Sequence, residues 1–137
     1  MAGRVSVRES VLSAMLDEAR RHFPQECCGL LAGEGGVVTE IFATANALAS
    51  EREFFIDPAE LICSLRAMRE RGLVHLGIYH SHPSGENFPS HRDMEMAFYP
   101  SCAFFVISPQ AAARSQIRAF SIKSGRVDEL AILTIAG

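Results

Sequence analysis

The stretch His80-Ser81-His82-Pro83-Ser84-Gly85-Glu86-Asn87-Phe88-Pro89-Ser90-His91-Arg92-Asp93 decides how this chain is read. The residues leading into it, Val74-His-Leu-Gly-Ile-Tyr-His80, are rich in strand formers and alternate as a half-buried strand does. Side chains two apart on an extended backbone share a face, so His80 and His82 point one way and Ser81 the other. Pro83, Gly85 and Pro89 break any regular structure, and Ser90-His-Arg-Asp93 ahead of Met94-Glu-Met-Ala-Phe98 predicts a helix start. Asp93 then lies in a first helical turn that can face back toward the strand end.

Two imidazoles and one carboxylate make a three-ligand set with a fourth position left for water, the open, catalytic kind of zinc site. A structural site would more often use several cysteines, and this segment has none. The pattern His80-x-His82, seven residues, Ser90, two residues, Asp93 resembles the signature of the JAMM (MPN-domain) metallopeptidases at every position. That family also carries an upstream glutamate, and Pro24-Gln-Glu26-Cys-Cys-Gly29-Leu-Leu-Ala-Gly33 is similar to its surroundings, with Glu26 as the matching residue. Phe54-Phe-Ile-Asp-Pro-Ala-Glu-Leu61 resembles the strand-to-helix passage of small bacterial-type members, so the likeness covers most of the chain.

The resemblance implies one Zn2+ per chain held by His80, His82 and Asp93, with Glu26 and Ser90 as the catalytic pair. Zinc lowers the pKa of bound water from about 15.7 toward about 7 and polarises a carbonyl. Glu26 would take the water proton as general base and return it to the leaving amine as general acid, a role that needs reach rather than ligation. Ser90 would donate its hydroxyl to the tetrahedral intermediate. Each residue also has a plainer reading. Ser90-x-x-Asp93 before an apolar run is a helix-capping pattern, and Glu26 after Pro24 fits a solvated turn. Coincidence of all the positions in one short chain argues against the plainer set.

The remaining histidines are not read as ligands. His22 ends a helix, His75 stands five residues before His80 and should face away from it, and His91 is expected to face solvent. The 137 residues, 48% of them hydrophobic, suffice for one buried core, so residues 1–137 are expected to form a single domain. A formal charge of −3 without a basic block argues against nucleic acid as partner. No run approaches the length of a membrane span, and Met1-Ala-Gly-Arg-Val-Ser-Val-Arg8 lacks the apolar core of a signal peptide, which points to the cytoplasm. The four cysteines lack metal-ligand spacing; Cys63 and Cys102 read as reduced core residues, and Cys27 and Cys28 stand beside Glu26.

Along the chain, strands are expected at residues 4–7, 28–32, 37–42, 54–56, 102–108, 115–123 and 127–135, with helices at 9–21 and from 57 to about 71. The turn Gly33-Glu-Gly-Gly36 makes a hairpin, and with no Lys-Ser/Thr sequel it is not a phosphate loop. The order is that of a mixed β-sheet flanked by helices, an α/β fold, in agreement with the JAMM fold that the resemblance implies and, more remotely, a cytidine-deaminase-like architecture. The deaminase ligands His-x-Glu and Pro-Cys-x-x-Cys are missing.

The resemblance implies cleavage of an amide or isopeptide bond after the C-terminal Gly-Gly of a ubiquitin-like or sulfur-carrier protein. The extended tail is expected to add as a strand at a sheet edge beside the motif, with the connection from Asn46 to Phe55 as a flap. A metal-free interaction scaffold and a zinc hydrolase of a small-molecule amide stay open as alternatives. Oligomeric state is not legible.

Overall fold

The computed structural model describes residues 3–110 and 115–137. The elements run β1 (Arg4–Arg8), α1 (Glu9–His22), β2 (Cys28–Glu34), β3 (Val37–Thr44), α2 (Pro58–Glu70), β4 (Val74–Ser81), α3 (His91–Glu95), β5 (Ala103–Ile107), β6 (Ile117–Lys123) and β7 (Arg126–Ile135). The sheet order is β1-β3-β2-β4-β5-β6-β7, and parallel pairing of β1 with β7 closes it into a barrel. The sheet is mixed: β4 and β5 run parallel, joined across α3, whereas β2 pairs antiparallel with both β3 and β4. The expected mixed sheet flanked by helices is present, and its closure is the added feature.

Local chemistry accounts for the elements that carry the site. In α1 the stripe Val11, Met15 and Ala19 is buried, with Glu9 in the first turn and Arg20, Arg21 and His22 in the last, matching the helix dipole. Helix α2 starts where Asp57 caps it, its carboxylate accepting the Glu60 N–H at 3.1 Å, with Pro58 in the first turn. It stops before Gly72, whose φ of +69° is open to glycine at little cost. The β2–β3 hairpin turns on Gly35 and Gly36, with φ of +60° and +75°.

Two apolar clusters fill the two faces of the sheet. One joins α1 to Val7, Leu31, Tyr79 and Phe105. The other joins Met68 of α2 to Leu30, Ile78, Phe104, Val106 and Phe120. Strand β2 is buried along six of its seven residues because it lies between two neighbours and under both layers.

Several expectations need correction. Phe54 to Ile56 is no strand of the sheet; only an isolated bridge pairs Ile56 with Asn46. Cys63 is exposed on α2 rather than in the core, while Cys27, Cys28 and Cys102 are buried. The register of β4 on β2 shifts between Leu31 and Ala32, so His75 pairs with Ala32 and Ile78 with Leu30. Ala32 and Leu30 share a face, and the extra residue therefore turns His75 to the same face as His80. Finally, β4 has β2 on one side and β5 on the other, so no free sheet edge lies beside the motif among the described residues.

Candidate active site

The end of β4 delivers His80 and Ser81, and His82 follows directly, its N–H bonded to the Ile107 carbonyl at 2.8 Å. As the period of a strand requires, the two imidazoles converge: His80 Nε2 and His82 Nε2 are 3.1 Å apart. Asp93 Oδ2 lies 2.9 Å from the first and 3.1 Å from the second. Among the described residues these three are the one group of His, Cys, Asp and Glu whose donor atoms converge in this way.

The loop between the two halves is braced at three points. Gln110 donates to the Pro83 carbonyl at 3.1 Å, Ser108 to the Gly85 carbonyl at 3.2 Å, and the Asn87 amide to the Ser115 carbonyl at 2.6 Å. Ser90 then caps α3 with both halves of a capping box: its Oγ accepts the Asp93 N–H at 3.1 Å, and Asp93 Oδ2 accepts the Ser90 N–H at 2.8 Å. Capping and site-building are thus one arrangement, since the capping box sets the carboxylate that meets the histidines. The Ser90 oxygen is used as an acceptor, which leaves its hydroxyl hydrogen free to donate.

The donor set suits zinc. Bonds of about 2.0–2.2 Å to a tetrahedral ion put ligand atoms about 3.3 Å apart, a few tenths beyond the separations here. His82 Nδ1 lies 2.8 Å from the Glu86 carbonyl, which can only accept, so Nδ1 carries the hydrogen and the neutral ring turns its lone pair at Nε2 toward the cluster. Burial holds the His80 imidazole below its ordinary pKa, favouring the neutral form that ligates. Burial would raise Asp93, but hydrogen bonds with His80 and His82 outweigh it and hold the carboxyl well below the usual range.

Glu26 precedes β2 and is 3% exposed. Its Oε1 is buried without a hydrogen-bond partner among the described residues. Burial pushes its pKa up to about 7, and the register that pairs Cys28 with His80 sets the segment carrying it against the end of β4. Ser81, on the opposite face from the two histidines, ties this segment to β4: Cys27 N–H donates to Ser81 Oγ at 2.9 Å and Ser81 N–H to the Cys27 carbonyl at 3.1 Å. Burial also pushes the Cys27 and Cys28 thiols up to about 11, which leaves them protonated and poor nucleophiles at neutral pH.

An apolar cavity of about 220 Å³ opens beside the cluster; His80 and Asp93 line it together with Phe54, Ile78, Tyr99 and Val106. Phe54 stacks on His80, centroids 4.4 Å apart and planes at 20°. Sequence reasoning placed Phe54 in a flap and did not foresee contact with a candidate ligand. His91 is exposed at the start of α3, and His22 pairs with Glu18 at 3.5 Å.

Comparison with known proteins agrees with the geometry. Residues 8–123 match the family model described as prokaryotic homologs of the JAB domain. The CysO-cysteine peptidase of Mycobacterium tuberculosis is 34% identical over 125 residues, covering 90% of this chain and 86% of that protein. The desampylase of Haloferax volcanii is 35% identical over 105 residues, covering 74% and 76%. The solution structure of protein DSY2949 from Desulfitobacterium hafniense superposes with a TM-score of 0.87 at 33% identity, over 97% of this chain and 94% of that one.

Proposed function

This chain belongs to the family of prokaryotic homologues of the JAB domain and is a JAMM-type hydrolase, and from that premise we propose that it uses zinc to cleave amide or isopeptide bonds after the C-terminal Gly-Gly of a ubiquitin-like or sulfur-carrier protein. The observation that carries the reading is the convergence of His80 Nε2, His82 Nε2 and Asp93 Oδ2 within 3.1 Å of one another, beside a buried carboxyl near neutrality. His80, His82 and Asp93 are the residues that would hold the ion. Zinc, when bound, supplies a Lewis acid for the scissile carbonyl and makes water acidic enough to react near neutral pH.

The protein's own groups move the proton. Glu26, poised near pH 7, accepts a proton from the attacking water at a carboxylate oxygen and delivers it to the amine that leaves. Ser90 directs its free hydroxyl hydrogen at the developing oxyanion while its oxygen stays bonded to the Asp93 N–H. Two glycines at the acyl side present no Cβ to the crowded approach between the histidines and the Asn46–Phe55 flap. Since β4 is paired on both sides, strand addition beside the motif is replaced here by a tail lying along the flap, where Phe55 is 40% exposed. The names of the relatives, a CysO-cysteine peptidase and a desampylase, support a carrier-protein substrate.

The test is a ubiquitin-like carrier ending in Gly-Gly, joined through that glycine to a peptide amine and incubated with the protein. Cleavage after the second glycine, stopped by a chelator and restored by zinc, is the expected result. Hydrolysis of small amides with the conjugate left intact would overturn the carrier substrate in favour of a small-molecule one.

A further inference from the structure

The side-chain amide of Asn46 makes four hydrogen bonds, each 3.1 Å long. Its Nδ2 donates to the carbonyls of Glu26 and Glu53, and its Oδ1 accepts from the N–H groups of Leu48 and Phe55. That satisfies both donor hydrogens and both acceptor lone pairs of an asparagine. Glu53 and Phe55 bracket Phe54, whose ring lies on His80. The other backbone group of Glu26, its N–H, donates to the Ser50 carbonyl of the same loop at 2.8 Å. The loop thus holds the Glu26 backbone from both sides, and Asn46 is the side chain that joins that hold to the segment carrying Phe54.

The two histidines are oriented by different means. His82 is fixed through Nδ1 by the Glu86 carbonyl, whereas both polar contacts of His80 run through Nε2 to the cluster itself. What sets the plane of the His80 ring from behind is the face of Phe54. We infer that Asn46 is a positioning residue: through Glu53 and Phe55 it seats the Phe54 ring that orients His80, and through the Glu26 carbonyl it places the proton-transferring carboxyl in register with that ring. This rests on the reading of the site as a zinc hydrolase.

The fold has other supports, so removal of the amide is separable from unfolding. Backbone bonds from Ala47 N–H to the Phe55 carbonyl at 2.8 Å and from Asp57 N–H to the Ala45 carbonyl at 3.2 Å still close the loop, and the reciprocal Cys27–Ser81 bonds still hold the Glu26 segment to β4. A merely structural Asn46 would lower stability alone. A positioning Asn46 weakens the metal site of the folded protein as well, because residues that orient a ligand typically change metal affinity by about 10–100-fold.

The experiment compares the full chain with Asn46→Ala and Asn46→Asp, measuring zinc affinity by chelator competition and turnover of a ubiquitin-like carrier bearing a fluorogenic amine on its terminal glycine. Asn46→Ala is expected to weaken zinc binding about tenfold and to lower kcat more than KM changes. Asn46→Asp keeps the acceptor for Leu48 and Phe55 but faces the Glu26 and Glu53 carbonyls with oxygen, so its zinc affinity should fall less than that of Asn46→Ala while kcat still drops. If Asn46→Ala does not fold, Asn46→Asp carries the test, and wild-type kcat in that variant would overturn the proposal. Wild-type zinc affinity and kcat in a folded Asn46→Ala would overturn it too. Failure of the unmutated chain to bind zinc would instead refute the reading of the site on which the proposal rests.

Discussion

Replacing Glu26 by glutamine should stabilise the metal-stripped protein, and the gain should depend on pH. A carboxyl that ionises at about 4.5 in the unfolded chain and at about 7 in the fold keeps its proton on folding where the free group would lose it. Below about pH 4.5 the group is protonated in both states and neither is favoured. As pH rises from about 4.5 to about 7, the unfolded chain ionises first and the fold loses stability; above about 7 the full penalty remains. A difference of about 2.5 units at about 1.36 kcal/mol each gives roughly 3 kcal/mol. Glutamine has no such titration, so the same linkage gives Glu26→Gln a stability advantage over the parent that is larger by about 2 kcal/mol at pH 8 than at pH 5.5. The costs of burying an amide in place of a carboxyl are common to both pH values and cancel in that difference. Urea unfolding in the presence of a chelator reads it as a midpoint shift of about 1 M. A stability difference between the two proteins that is the same at both pH values would refute the claim that burial raises the Glu26 pKa toward neutrality.

Three further outcomes follow from the packing. Gly33→Ala should destabilise by more than about 3 kcal/mol or prevent folding, because its Cβ would stand 1.7 Å from the Val37 carbonyl oxygen; a midpoint in urea close to that of the parent would count against the hairpin geometry. Tyr79→Phe should leave stability unchanged or raise it by about 1 kcal/mol, since the buried Tyr79 hydroxyl has no partner among the described residues to lose, and a loss larger than that in thermal unfolding would reveal one. Ser90→Ala should lower kcat by about 10²-fold with zinc still bound, together with about 1 kcal/mol of stability from the lost cap; a wild-type kcat would reduce Ser90 to its capping role.

The sequence conveyed the site better than the barrel. Spacing alone brought His80 and His82 to one face, and the capping pattern at Ser90 turned out to be the device that aims Asp93 at them. Glu26, more than fifty residues away in sequence, could be placed only through the family resemblance, because nothing local says that the segment before β2 meets the end of β4. Periodicity reports which face a residue takes within an element but not which elements are neighbours, so the closure of β1 on β7 and the double pairing of β4 went unread. The irregularity near Leu76 reversed the face of His75, since one extra residue in a strand leaves no compositional mark. Cys63 was read as core because it stands among apolar neighbours, yet Ile62 beside it is itself 57% exposed on α2. Asn46 looked like one polar residue in a polar connection, and its role depends on four backbone partners drawn from three stretches of chain.

The most direct test of the account is the zinc content per chain of the purified protein, by elemental mass spectrometry, beside that of Glu26→Gln and of the double variant His80→Ala, His82→Ala. The account predicts about one zinc in the parent and in Glu26→Gln, which should be inactive, and none in the double variant. No zinc in the parent after the metal is supplied at neutral pH, or its loss in Glu26→Gln, would contradict the assignment of His80, His82 and Asp93 as ligands and Glu26 as base.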